Sequence, residues 1–434
     1  MGNQADDVIE EDLNDKNLPP SSDDDVSSPD GGWGWVIVLA AFLVYAIVFG
    51  TLRCQSVLFV PIMESFETDF SSVGWVAAIA SSGIAVAGIL SAPMMTRFGH
   101  RPTIMAGGLM AAVASISASF APNMILLDVT AGLLTGVGLG MSFVASPVVI
   151  GFYFKKRRAL ATNLASMGAS VGTFALCPLN AHLIKEFALP GHFLIFGAIY
   201  LNLCVCGALM RPLSLENSKR DHMNGEGIEA DSRKVLWSSL FRHKAFIVYC
   251  LSQVVFVAGF LVGQLYIVPF AEQELGISKL KAPLVVSIMA GTELFSRIIF
   301  GFLGDFKRIN RLLMFASVLL LLAVCGLIIP FTDSFASLAA VAAVTGLFQG
   351  GFSGISIVVL ADIVGMKMYG TALGISTLFN GIGTLVTPPL VGIAVDTTGR
   401  PSIALFISCG LLFLGAILTF AIHVVMKLQR ERPN

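Results

Sequence analysis

The sequence predicts an all-α membrane protein, twelve transmembrane helices in two six-helix bundles. Three observations predict it. The 434 residues are 55% hydrophobic and only 13% charged, with mean hydropathy +0.82, whereas a soluble domain carries about 25% charged residues. Twelve apolar stretches approach or exceed the ~20 residues that a helix needs to cross ~30 Å of hydrocarbon. Motifs in the first six stretches recur in the last six.

The elements follow in chain order. Residues 1–33 form an acidic tail that holds Asp6, Asp7, Glu10, Glu11, Asp12, Asp15 and the run Asp23–Asp25 against a single Lys16. High charge and low hydrophobicity make such a segment disordered, a solvated tail rather than a signal peptide or a binding site. The first bundle, 34–212, holds spans at 34–60, 72–95, 103–120, 124–152, 159–184 and 192–210. A polar cytoplasmic linker, 213–243, follows. The second bundle, 244–427, holds spans at 245–270, 282–303, 312–331, 335–364, 371–395 and 402–426, and 428–434 is a short tail.

Charge orients the chain. Of its 27 Lys and Arg, 21 fall on segments that share a side with the N-terminus and only 4 on the opposite loops. The positive-inside rule then predicts both termini to be cytoplasmic. Net charge of −1 gives no sign of nucleic-acid binding. All seven cysteines lie in or beside apolar spans, where cysteine acts as a small hydrophobe, so no disulfide framework or metal-ligand spacing is expected.

The halves repeat in detail. Gly132, Gly136, Gly140 and Ser142 in span 4 correspond to Gly346, Gly350, Gly354 and Ser356 in span 10 at one constant offset. Gly172-Thr173 and Pro178-Leu179 in span 5 correspond to Gly383-Thr384 and Pro389-Leu390 in span 11. Such parallel repeats imply a pseudo-two-fold axis normal to the membrane, a central cavity and alternating access. Glycines at four-residue spacing read as close, sliding packing surfaces, since glycine offers no side chain to a ligand.

Apart from Asp128 near the start of span 4 and Asp362, an inner-gate or capping candidate at the end of span 10, two basic residues and one acidic residue remain inside the spans: Arg53, Glu293 and Arg297. Each costs about 3 kcal/mol even on lenient insertion scales, so each is expected to face a cavity or another charge. Glu293 and Arg297 stand four apart, on one helix face. Two guanidinium groups and one carboxylate suit a small organic anion. The plainer reading of Glu293–Arg297 is a static ion pair. The six histidines do not cluster with acids or cysteines and no Walker-type phosphate loop is present, so neither an enzyme nor ATP-driven transport is indicated and no cofactor is expected.

The motifs also carry a resemblance. Loops after spans 2 and 8, with Arg97 and Asp305, are similar to the inner-loop motif of the major facilitator superfamily, and an inner-gate role follows for both. Pro29-Asp30-Gly31-Gly32-Trp33-Gly34-Trp35 before span 1 resembles the signature of the monocarboxylate transporter family. A second signature is Tyr153-Phe154-Lys155-Lys156-Arg157-Arg158, and the segment Cys206–Pro212 that closes span 6 is also typical.

The resemblance implies a secondary transporter of a small monocarboxylate in the plasma membrane, with a proton as co-substrate and Glu293 as its carrier. The family's lactate carriers use a span 1 lysine and a span 8 Asp-x-x-x-Arg pair. Those positions are Arg53, Glu293 and Arg297 here, and Phe49 stands where those carriers have a tyrosine. Arg does not realistically release a proton, so coupling would fall to Glu293. Gln349, Ser353 and Ser356 of span 10 are the further substrate-binding candidates. The alternatives are facilitative carriage of a zwitterion such as creatine or an amino acid, and a non-transporting sensor or scaffold. A single-span immunoglobulin-type chaperone such as basigin or embigin is a further partner that the resemblance implies.

Overall fold

The computed structural model describes residues 31–154, 157–211, 244–305, 311–364 and 369–430. Ten helices among them are long and apolar enough to cross a membrane. One of these folds back at Ala188 (φ 53°, ψ −174°) and so makes two spans. The 19-residue helix His100–Ala118 completes the expected twelve. In lipid the helix is the natural solution, because it satisfies every backbone donor and acceptor within the segment.

The helices are α1 (Trp33–Arg53), α2 (Gln55–Phe66), α3 (Phe70–Phe98), α4 (His100–Ala118), α5 (Met124–Tyr153), α6 (Arg158–Leu209), α7 (Lys244–Gln273), α8 (Pro283–Asp305), α9 (Arg311–Ile328), α10 (Phe335–Val364), α11 (Tyr369–Thr398) and α12 (Ser402–Arg430). Span 1 differs from expectation. It breaks at Cys54 (φ −85°, ψ 5°) into α1 and α2. Within α5, the turns of Asp128–Leu134 are wound wider than an α-helix. The expected linker 213–243, most of both tails, Asp30 and Lys155 lie outside the described residues.

A second correction concerns cysteine. Cys54 and Cys177 form a disulfide, with Cα atoms 5.2 Å apart and a sequence separation of 123. The break at Cys54 puts one thiol between two helices and α6 brings the other against it. No sequence spacing encodes that approach. The remaining five cysteines are free, and four of them are buried.

The repeated glycines pack as read. A Cβ on Gly136 would lie 2.4 Å from the Ala80 carbonyl of α3, and one on Gly346 only 2.1 Å from the Met289 carbonyl of α8. The same close approach thus occurs in both bundles, α3 on α5 and α8 on α10.

The two ends of the molecule are built differently. The far end lies opposite the start of α1 and the finish of α12. There, one apolar cluster draws on both bundles and includes Phe59, Phe70 and Tyr266. Those three rings pack together, with centroids 5.1–6.0 Å apart. Asp396 of α11 accepts from the backbone N–H groups of Phe70 (2.8 Å) and Ser71 (2.9 Å), capping α3 across the bundle interface. Toward the near end each bundle has its own cluster. Gly88 of α3 and Gly374 of α11 face open space there. The structure is closed at the far end.

Candidate functional site

Glu293 is fully buried between two arginines from different bundles. Arg297, one turn further along α8, donates from Nη2 to Glu293 Oε1 at 2.8 Å. Arg53, the last residue of α1, donates from Nη1 to Glu293 Oε2. The same Oε2 accepts from Gln349 Nε2 of α10 at 3.2 Å, and Gln264 Nε2 of α7 donates to Gln349 Oε1 at 3.3 Å. Five helices therefore converge on one carboxylate once α6 is added. Arg297 Nη1 donates to the Ser166 carbonyl (2.9 Å) and to Ser166 Oγ (3.1 Å) of α6.

Local sequence sets each position. The i,i+4 spacing stacks Glu293 and Arg297. The helix break after Arg53 ends α1 where its side chain meets α8. Gly350 lets α10 approach, since a Cβ there would stand 2.7 Å from the Glu293 carbonyl.

The arginine side chains keep 17% and 14% exposure while Glu293 keeps none. Arg297 Nε is buried with no protein partner. Two guanidinium groups against one carboxylate leave an excess positive charge, and Arg297 has donor capacity to spare. Planar, forked guanidinium donors match a carboxylate in two hydrogen bonds. An aromatic group of Tyr45, Phe49 and Phe143 in the first bundle, centroids 4.8–5.8 Å apart, lies one turn from Arg53 along α1.

The other sequence candidates separate. Gln349 joins the cluster. Ser356 lies two turns nearer the α10 terminus, where its carbonyl accepts from the Tyr249 hydroxyl at 3.2 Å. The side chains of Ser353, Asp305 and Arg158 are outside the described residues. Arg97 is exposed and lies over the Phe98 ring at 5.4 Å. Asp362 makes a half-exposed 3.6 Å pair with Arg311 within the second bundle.

The sequence profile of the Major Facilitator Superfamily matches residues 41–334 and again 263–434. Human monocarboxylate transporter 2 is 31% identical over 406 residues, 89% of this chain and 84% of its own. The chain belongs to the monocarboxylate transporter family. Mouse monocarboxylate transporter 12 is 32% identical over 433 residues (94% and 88% of the two chains). Chicken monocarboxylate transporter 4 is 32% identical over 378 residues (86% and 79%). Among solved structures, a D-xylose-proton symporter and a POT family transporter share the fold. Each has a TM-score of 0.70 at 13% identity, covering 89% and 92% of this chain and 97% of each solved chain. As a family member the chain is a multi-pass membrane transporter and not an enzyme.

In this family member the signature motifs hold the near end together. Trp33 Nε1 donates to the Leu209 carbonyl at 3.1 Å, and the Arg211 guanidinium sits 4.1 Å over the Trp33 ring. Trp35 meets Phe154 edge-on at 5.2 Å, and the Tyr153 hydroxyl donates to the Arg211 carbonyl at 2.9 Å. Gly34 is tight, because a Cβ there would be 2.9 Å from Phe154. Gly31 sits just before α1, its carbonyl accepting from Gly34 N–H, and Arg157 is exposed. Three motifs distant in sequence thus form one anchor, remote from the charges. Sequence reasoning missed Ser166 and Gln264. Neither carries a charge or sits in a motif that would single it out.

Proposed function

We propose that this transporter moves a small monocarboxylate across the plasma membrane by alternating access, coupled to a proton carried by Glu293. The observation that supports it most is the fully buried Glu293 joined at once to Arg53 of the first bundle and Arg297 of the second. A substrate carboxylate would take the place of Glu293 on Arg297. Protonation of Glu293 would release both guanidinium groups together and so loosen the tie between bundles. Gln349 steadies the carboxylate, and Arg53 draws the anion in.

The excess of Lys and Arg on one side supports cytoplasmic termini, which makes the described state inward-facing. The bundle boundaries follow the same reading, with 34–212 and 244–427 as the rocking units. A single-span immunoglobulin-type chaperone such as basigin or embigin is the delivery partner that family membership supports. The alternative is facilitative carriage of a zwitterion such as creatine or an amino acid, with Glu293 taking the ammonium group.

Uptake into proteoliposomes tests the proposal. Labelled lactate, pyruvate, creatine and amino acids are supplied with and without a pH gradient. Saturable monocarboxylate uptake driven by an inward proton gradient supports it. Creatine or amino-acid uptake indifferent to the gradient replaces it with the zwitterion reading.

A further inference from the structure

The first bundle encloses a cavity of its own toward the far end. Its lining comes from α1–α6 alone. No Lys, Arg, Asp or Glu lines it. Leucine, valine, alanine and phenylalanine side chains supply most of the wall, with a few polar groups set among them.

Most of those polar groups are already satisfied. Thr51 and Ser115 donate to the carbonyls of Ile47 and Phe193, each at 2.7 Å. Two buried atoms are not: Gln55 Oε1 and His192 Nδ1 have no protein partner. His192 is only 2% exposed and lies stacked on Phe196 with centroids 4.5 Å apart. Its Nε2 meets Asn180 Oδ1 at 2.5 Å. That contact puts the ring proton on Nε2 and leaves Nδ1 as an acceptor. The cavity therefore offers two acceptors and no cation. A buried acceptor left unmade is costly, so the site asks for a donor. An anion has nothing to pair with there, which sets this cavity apart from the arginine cluster.

The cavity also has mechanical reach. Phe59 lines it and belongs to the ring cluster with Phe70 and Tyr266 that closes the far end. Gln55 begins α2 beside the Cys54–Cys177 bridge, and Asn180 lies one turn beyond Cys177.

We propose that this cavity is a second ligand site, for a small neutral ring or chain that donates one hydrogen bond to Gln55 and His192. Its occupant stands behind Phe59 and α2 and braces the closed far end. The ligand acts on the rate of opening rather than on substrate affinity.

Phenol and anisole provide matched probes, since they are close in size and only phenol donates. The full chain, purified in detergent, is heated with each. Phenol raises the melting temperature saturably, and anisole needs about tenfold more for half the effect, equivalent to about 1.4 kcal/mol. His192→Phe or Gln55→Leu narrows that gap to below about threefold. Ala77→Leu fills the cavity without touching a polar group and abolishes both shifts. In proteoliposomes, phenol lowers the maximal uptake rate of the wild type and leaves KM unchanged. Equal shifts from phenol and anisole in the wild type overturn the proposal, as does a wild-type phenol shift in Ala77→Leu. If His192→Phe does not fold, Gln55→Leu and Ala77→Leu carry the test.

Discussion

Arg53 and Glu293 stand 240 residues apart in sequence, yet the guanidinium of one donates to the carboxylate of the other across the bundle interface. Each residue alone would be a liability in hydrocarbon. Together with Arg297 they form a compact charged knot whose members belong to both bundles. Breaking a buried pair by removing one partner costs on the order of 3–5 kcal/mol, because the other charge is left behind. That energy ties the two bundles together at Glu293.

Replacing Arg297 tests the shape of that tie. Arg297 reaches Glu293 and Ser166 at once through a planar fork, whereas lysine is a point charge. Arg297→Lys and Arg297→Ala should both lose at least about tenfold in uptake, the equivalent of one charge-assisted hydrogen bond. Surface labelling should find both variants at the membrane. Wild-type uptake by Arg297→Lys would remove guanidinium geometry from the account.

Arg53→Lys preserves charge and shortens the reach. A purely electrostatic role for Arg53 leaves uptake nearly unchanged, while a role in reading substrate shape alters the ratio of lactate, pyruvate and creatine uptake. We expect the ratio to change and Arg53→Ala to be much less active. Identical profiles in all three forms would take Arg53 out of the transport path.

The disulfide has a direct chemical test. Thiol labelling of the denatured protein should find five reactive cysteines before reduction and seven after it, matching the five free thiols and the Cys54–Cys177 bridge. Seven before reduction would contradict the bridge.

At the far end, Asp396→Ala removes the acceptor that caps Phe70 and Ser71. Loss of a cap costs about 1 kcal/mol, enough to open the far end about fivefold more often. A cysteine introduced at Leu58 should then be labelled correspondingly faster by an impermeant maleimide. Asp362→Asn is the control, because its half-exposed pair with Arg311 is of a type worth 0–1 kcal/mol.

The twelve spans, the repeat and the three intramembrane charges were legible in the sequence, since each is a one-dimensional signal of hydropathy, period or cost. What Glu293 and Arg297 do with Arg53 was only half legible. Four-residue spacing gives the first contact, but the second depends on how two bundles face each other. Ser166 contributes a backbone carbonyl, which leaves no trace in residue type, and a hydroxyl that nothing sets apart from other helix serines. Cys54 and Cys177 look like any buried cysteine until the break after α1 turns one toward the other. Trp33 and Trp35 stand out in the sequence only through the signature they belong to, and their partners Leu209 and Phe154, far along the chain, make them part of an anchor.

The measurement that bears most directly on the account is proton-driven accumulation by Glu293→Gln in proteoliposomes. Glutamine keeps the shape of the neutral acid and cannot carry a proton. The account predicts that this variant exchanges preloaded monocarboxylate across the membrane but no longer accumulates it against a gradient when the outside is made acidic. Accumulation with the wild-type pH dependence would contradict it.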